Sequence, residues 1–393
     1  MIVGNKNSLW GKKVIDPTSS LKFTINTALG TGDNFTIPTF SSSETYNYDI
    51  NVSDGQTFTG VTGNQLINFA TGGIYQIEIT GVFLKFYFNN GGDKLKIVSI
   101  EQFGSTGYSL DQSNKLFGCS NFTTMPNDIS WLNSVTGANS MLYGTNLTTL
   151  PDGLTLENLV NGTSFIDGGN LSSLPSSMSL ANLEVGQSFF QNNNLTTIPS
   201  VMLLSKLING NSMFNGNAFT SLPSGMVLGN LTSGSYMFNG SAFTSLPSGM
   251  TLSSLTNGSY MFRSHNLTNL PSVMVLGSLL DGSSMFRDNN LTSLPSGMVL
   301  GNLTNGSFMF DQCSLTDLPS GITLSSLTNG SYMFRGSTIN TVRYSQLLID
   351  LESGNPNDNV TFHGGNSTYN SSASTARANL ISRGWSILDG GLV

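Results

Sequence analysis

From Phe117 to Phe334 an aromatic or aliphatic residue recurs every 24 positions, stretched once to 25: Phe117, Leu142, Ile166, Phe190, Phe214, Phe238, Phe262, Phe286, Phe310 and Phe334. Apolar residues follow five positions later (Leu195, Phe219, Phe243, Leu267, Leu291) and eight positions later (Ile198, Leu222, Leu246, Leu270, Leu294). In nearly every copy a proline stands nine positions on, from Pro126 to Pro319. Methionine precedes most of the phenylalanines, as at Met213, Met237 and Met261, and a glycine stands four residues before each, as at Gly210, Gly234 and Gly258. A unit this short cannot bury its apolar face alone, whereas stacked copies put equivalent side chains in register and share one core. The pattern predicts ten stacked coils with ladders of phenylalanine, leucine and methionine. The glycine suits a turn needing φ > 0, and the proline suits the end of a short strand at a corner.

The flanks read differently. Tyr46, Tyr48, Ile50 and Val52 alternate with polar residues, as do Tyr75, Ile77 and Ile79, which is the period of half-buried strands. Asp54-Gly55, Gly72-Gly73 and Gly91-Gly92 supply the turns. After Phe334 the proline gives way to Arg343 and the pattern stops. There YSQLLIDLESG predicts a helix, NVTF a strand, SASTARANLISRG a second helix ending at Gly384, and WSILDGG a last strand. The chain divides into an attachment segment (1–16), a β unit (17–106), the repeats (107–343) and a capping unit (344–393).

Composition narrows the function. Charged residues make up 9% of the chain and the net charge is -7, with 15 Lys and Arg spread thinly. No basic stripe exists to neutralise a row of phosphates, which argues against nucleic acid as a partner. No stretch approaches the length of a membrane span, and the opening residues hold no apolar run of signal-peptide length. Cys119 and Cys313 fall in distant repeats and read as two unpaired, buried thiols. The chain shows no HExxH, CxxC, GxSxG or P-loop pattern. His265 occupies a variable repeat position and reads as a surface side chain, while Asn230, Asn257 and Asn329 read as turn formers. Asp49 and Asp54 offer oxygen donors but read as a plain turn. The expectation is a non-enzymatic protein with no cofactor and no metal.

The period, the LxxLP core and the asparagines Asn193 and Asn289 resemble leucine-rich repeats. The stretch FTSLPSGMTLSSLTNGSYMF, from Phe243 to Phe262, is similar to the BspA-type leucine-rich repeat of bacterial surface proteins, with Met in place of the usual Trp and an inserted Leu-Pro corner. NVSDGQTFTG followed by FATGGIYQIEITG resembles a PKD-like immunoglobulin-type sandwich, with Val52-Ser53-Asp54-Gly55 where that family has WGDG. The ending resembles C-terminal segments of phage-encoded surface proteins of Bacteroidetes-type hosts. Together these imply a mainly β fold with short helices: an N-terminal Ig/PKD-like β-sandwich, a leucine-rich-repeat solenoid of about ten coils and a small α/β C-terminal cap.

Two residues before the core phenylalanine stand Tyr236, Tyr260, Phe308 and Tyr332, against Ser188, Ser212 and Ser284 elsewhere. Aromatics off the core among hydroxyls and amides suit sugar stacking or a protein hot spot. These residues are the candidate binding site. The function implied is a virion-surface or tail-associated bacteriophage protein that contacts a host cell-surface glycan or protein and is mounted on other virion proteins through its N-terminal region. An extracellular BspA-type bacterial adhesin and a structural capsid decoration protein are the competing readings.

Overall fold

The computed structural model describes residues 20–40 and 45–393; the expected attachment segment lies outside them. Alternating side chains in the first unit form strands β1 (Leu21–Asn26), β2 (Asn34–Ile37), β3 (Asn47–Val52), β4 (Thr57–Val61), β5 (Gln65–Asn68), β6 (Ile74–Val82) and β7 (Ile97–Gln102). An antiparallel five-stranded sheet runs in the order β4-β3-β6-β1-β7, and β2 pairs with β5 apart from it. Leu21, Phe23 and Ile25 of β1, and Tyr48, Ile50 and Val52 of β3, all point inward. Phe23 meets Phe35 of the two-stranded sheet at 6.1 Å, so the sheets pack through rings. Asp49 and Asp54 serve the turn: Asp49 accepts from the Gly60 N–H and Asp54 from the Gln56 N–H.

Beyond Gln102 regular secondary structure is sparse, and the chain is held by register. Single parallel bridges join Asn161 to Val185, Val185 to Asn209, Asn209 to Ser233 and onward to Asn329. Around each bridge, N–H groups of one coil donate to carbonyls of the next: Gly210 to Ser233, Ser212 to Ser235, Phe214 to Met237. Phe214 and Phe238 stack at 5.6 Å and 9°, and Phe238 and Phe262 at 5.7 Å and 13°, and this ladder continues to Phe334. The methionines before them, from Met213 to Met333, are fully buried.

Three sequence expectations need correction. The first coil enters the ladder through Leu116, whose N–H donates to Met141 as that of Leu142 donates to Phe165. Phe117 is only half-buried and packs edge-on against Tyr143, the residue after Leu142. The repeating glycine does not take φ > 0. A Cβ on Gly258 would instead lie 2.9 Å from Leu255 Cδ2 and 3.0 Å from Met285 Sδ, so close packing selects it. The proline ends no strand: the Pro223 carbonyl accepts from the Met226 N–H at 3.0 Å, starting a tight turn that recurs at Pro199, Pro247, Pro271 and Pro295.

His265 also departs from expectation, being 2% exposed. It stands three residues after a core phenylalanine, where Asn193, Asn217 and Asn289 are buried. Each asparagine bridges coils. Asn217 donates to the carbonyls of Phe190 and Phe214 and accepts from the Leu195 N–H. Unpaired backbone groups in a buried turn are costly, so this position wants one acceptor and one donor. His265 supplies the acceptor, Nδ1, to the Phe243 N–H at 3.3 Å, and its ring stacks on Phe243 at 4.7 Å. Its Nε2 is buried without a hydrogen bond. Burial lowers its pKa to about 4, against a smaller opposing effect of the Phe238 backbone. Cys313 fills the same position, and both it and Cys119 are buried free thiols.

The junction of the β unit with the first coil holds a fully buried lysine. Lys115 Nζ lies 4.4 Å from the Tyr108 and Trp131 ring centres and 5.1 Å from that of Phe103, with no hydrogen-bond partner. Such rings contribute about 2 kcal/mol to an ammonium, whereas stripping it of water costs several. Burial wins, with repulsion from Lys85 adding to it, and the amine titrates well below the ordinary lysine value.

At the other end α1 (Thr341–Gly354), β9 (Thr361–His363), α2 (Ser374–Ser382) and β10 (Ser386–Leu388) follow β8 (Asn329–Gly330), the bridge of the last coil. β9 pairs in parallel with β8 and β10 with β9, so the bridge ladder runs into this unit. Phe362 meets Phe334 at 6.1 Å, and Asn355 donates to the carbonyls of Leu324 and Leu327.

Two outcomes follow from the buried polar groups. The unfolded chain takes up a proton on His265 near pH 6.5, and the folded chain only near pH 4. Stability should therefore fall as pH drops through that window, by about 3 kcal/mol at most. His265→Asn should flatten that segment of a denaturation-against-pH curve, and an unchanged slope would exclude His265 as its source. Lys115→Met should raise the unfolding midpoint at neutral pH, worth about 1–3 kcal/mol; a lower midpoint would mean that the rings hold a charged ammonium.

Candidate functional site

The four aromatic residues occupy one place in the coil, two positions after the close-packed glycine and two before the core phenylalanine. There the backbone turns left-handed: φ is 57° at Tyr236, 60° at Tyr260, 58° at Phe308 and 58° at Tyr332. Ser188, Ser212 and Ser284 share that geometry at 53–55°. The turn lets the Tyr236 N–H donate to the Ser259 carbonyl of the next coil at 2.9 Å and directs the side chain off the core. A non-glycine residue in this conformation costs about 1–2 kcal/mol, and bulky residues are poor choices for it.

The rings form two pairs. Tyr236 and Tyr260 stack at 4.4 Å and 6°, and Phe308 and Tyr332 at 4.7 Å and 17°. Tyr236 is 38% exposed and Tyr332 42%, while Tyr260 and Phe308 are half-buried. Between the pairs lies the coil of Ser284, a residue only 1% exposed. The strip is thus two face-to-face aromatic stacks separated by one coil, and His363 closes its far end at 5.4 Å from Tyr332. Partial burial and the neighbouring Tyr260 raise the Tyr236 phenol above its ordinary pKa, so it stays a neutral donor.

Sequence reasoning missed the charged row beside the rings. Arg263, Arg287, Asp311 and Arg335 each directly follow a core phenylalanine. The Arg263 guanidinium lies over Tyr260 at 5.5 Å, Arg287 over Phe308 at 5.1 Å, and Arg335 over Tyr332 at 4.8 Å. Asp311 has no exposed side-chain surface and accepts from Arg335 Nε at 2.7 Å and Nη2 at 2.8 Å. Arg287 reaches the same carboxylate at 3.1 Å and Asp288 at 3.4 Å, and Arg263 reaches Asp288 at 3.6 Å. In the three coils before Arg263 the corresponding residues, Gln191, Asn215 and Asn239, are neutral, so the aromatic strip becomes charged only toward its C-terminal end. A detectable signal existed: Arg263, Arg287 and Arg335 share one repeat position, and Arg343 is the one other arginine between residues 107 and 343.

Among the described residues no group of three or more His, Cys, Asp or Glu side chains is placed to hold a metal ion, and no helix is long and apolar enough to cross a membrane. No protein-family model matches the chain, and no curated protein sequence matches it.

Ring stacking returns about 0.5–1.5 kcal/mol per pair, close to what the left-handed backbone costs. Tyr236→Asn, which suits positive φ, should therefore change folding stability by less than about 1 kcal/mol. A loss above about 3 kcal/mol in chemical denaturation would make the ring a folding residue and remove it from the candidate site.

Proposed function

We propose that the chain is a BspA-type leucine-rich-repeat solenoid that works by binding and not by catalysis, displayed on the surface of a bacteriophage particle to recognise its host. In this reading the PKD-like sandwich and residues 1–16 mount the protein on other virion components. Residues 344–393 cap the open end of the stack, whose terminal core otherwise meets water.

One observation carries the recognition role: paired, partly exposed aromatic rings at positions where the backbone favours glycine or asparagine. Folding gains almost nothing from them by the balance given above. Rings that fold neutrally, lie outside the core and remain partly exposed have the form of contact residues, since aromatic side chains with arginine dominate recognition energetics.

The test is attachment of the whole chain to host cells. Replacing Tyr236, Tyr260, Phe308 and Tyr332 together with Asn should reduce attachment at least roughly tenfold with the unfolding midpoint little changed. Full attachment by the folded variant would remove the strip from function. Antibody to the repeats should label virions in negative-stain microscopy, and label confined to intact bacterial cells would move the protein to a cellular adhesin.

A further inference from the structure

The charged row gives the strip a second chemistry. Arg335 is fixed on two sides. One edge of its guanidinium, Nε and Nη2, is bonded to the buried carboxylate of Asp311, and its face lies 4.8 Å from the Tyr332 ring centre and 6.0 Å from that of Phe308. A guanidinium carries five N–H donors, so the Asp311 carboxylate leaves the Nη1 edge unused. The side chain is 38% exposed. Orientation of a donor fork before the ligand arrives removes much of the entropy that a free arginine loses on binding, and a planar fork matches a carboxylate in a way an ammonium does not.

Resting on the recognition role proposed above, we infer that the strip binds an anionic saccharide, with sugar rings against the exposed sides of the Tyr236–Tyr260 and Phe308–Tyr332 stacks and an acidic group held by the free edge of Arg335. Three observations bear on the ligand class. The rings are paired face to face and partly exposed, which leaves their C–H edges and outer faces to meet the apolar C–H groups of a sugar. The arginines that directly follow core phenylalanines, Arg263, Arg287 and Arg335, all stand beside these rings. Three cations, Arg263, Arg287 and Arg335, face two carboxylates, Asp288 and Asp311, in a chain whose overall charge is -7. This end of the strip is therefore locally cationic on an acidic protein, and it draws an anion that the rest of the surface repels. The acidic group is a carboxylate or a sulfate, both of which accept from one guanidinium edge. Asp311 is a positioning residue, acting through Arg335.

The experiment is calorimetric titration of the whole chain with oligogalacturonate, oligomannuronate, a sulfated galactan and a neutral galactan of similar length. At least one acidic oligomer should bind, weakening with added salt, while the neutral one binds at least roughly tenfold less well. Arg335→Gln should weaken the acidic ligand at least roughly tenfold. Arg335→Lys, which keeps the charge and loses the fork, should fall between. Unfolding midpoints near that of the parent chain verify that the variants are folded. The preference between uronate and sulfated oligomers identifies the acidic group. Absence of binding by every acidic oligomer, equal binding of the neutral one, or an unchanged affinity in Arg335→Gln overturns the inference. Host attachment that still depends on Tyr236 and Tyr260 while acidic oligomers fail would leave the recognition role standing without its anion; loss of both would remove the role itself.

Discussion

A chain that forms little helix and little sheet over some two hundred residues must still pair its buried backbone polar groups, and here it does so through register. Each coil gives a few N–H groups to the carbonyls of its neighbour and receives the same in return, around a single parallel bridge. Those bonds hold only if consecutive coils have equal length, because a coil one residue longer would point its phenylalanine at solvent and move its glycine away from the methionine it makes room for. The constant repeat length of 24 is thus a requirement of hydrogen bonding as much as of core packing. Where the spacing does change, between Asp111 and Gly137, the bridge and the ladder move together, and Leu116 takes the place that the sequence offers to Phe117.

Register also explains the identities of the small and polar residues. Gly258 leaves room for the Met285 thioether of the next coil, and every equivalent glycine from Gly210 to Gly306 faces the corresponding methionine. The buried amides of Asn193, Asn217 and Asn289 pair turn carbonyls of two coils with a turn N–H that the bridges leave over. Serine, histidine and cysteine at that place satisfy less of the same demand, which is why the position tolerates variety in sequence while remaining buried in the fold.

The apolar period was legible because a ladder of identical rings leaves an identical spacing in the sequence, and the alternating strands of the first unit were legible for the same reason. Turn chemistry was not. A glycine looks alike whether it serves positive φ or close approach, and only the coordinates separate the two: left-handed geometry falls two residues later, on Tyr, Phe and Ser. His265 was misplaced because its repeat position reads as variable, and variability suggests surface unless the shared hydrogen-bond role is seen. The rings of the candidate site stood out through their interruption of a serine column. Their charged neighbours did not, since an ion-pair row running across coils joins residues 24 or 25 apart, a separation at which no local pattern connects them.

Several residues break local rules, and the physical reason for each separates scaffold from site. Lys115 and His265 are buried against their chemistry, yet each sits where a neighbour confines it: aromatic rings around the amine, a coil-bridging position around the imidazole. Both disturb the protein from inside and face nothing that could bind. Tyr236, Tyr260, Phe308 and Tyr332 break a rule at the surface, where any residue is sterically admissible and where Ser188 and Ser212 show that a smaller side chain completes the same turn. A cost accepted where cheaper residues fit, and at best offset by the stacking of the rings on one another, leaves the net gain to be found elsewhere. For a partly exposed ring backed by an arginine that keeps more than a third of its side chain exposed, that gain is contact with another molecule.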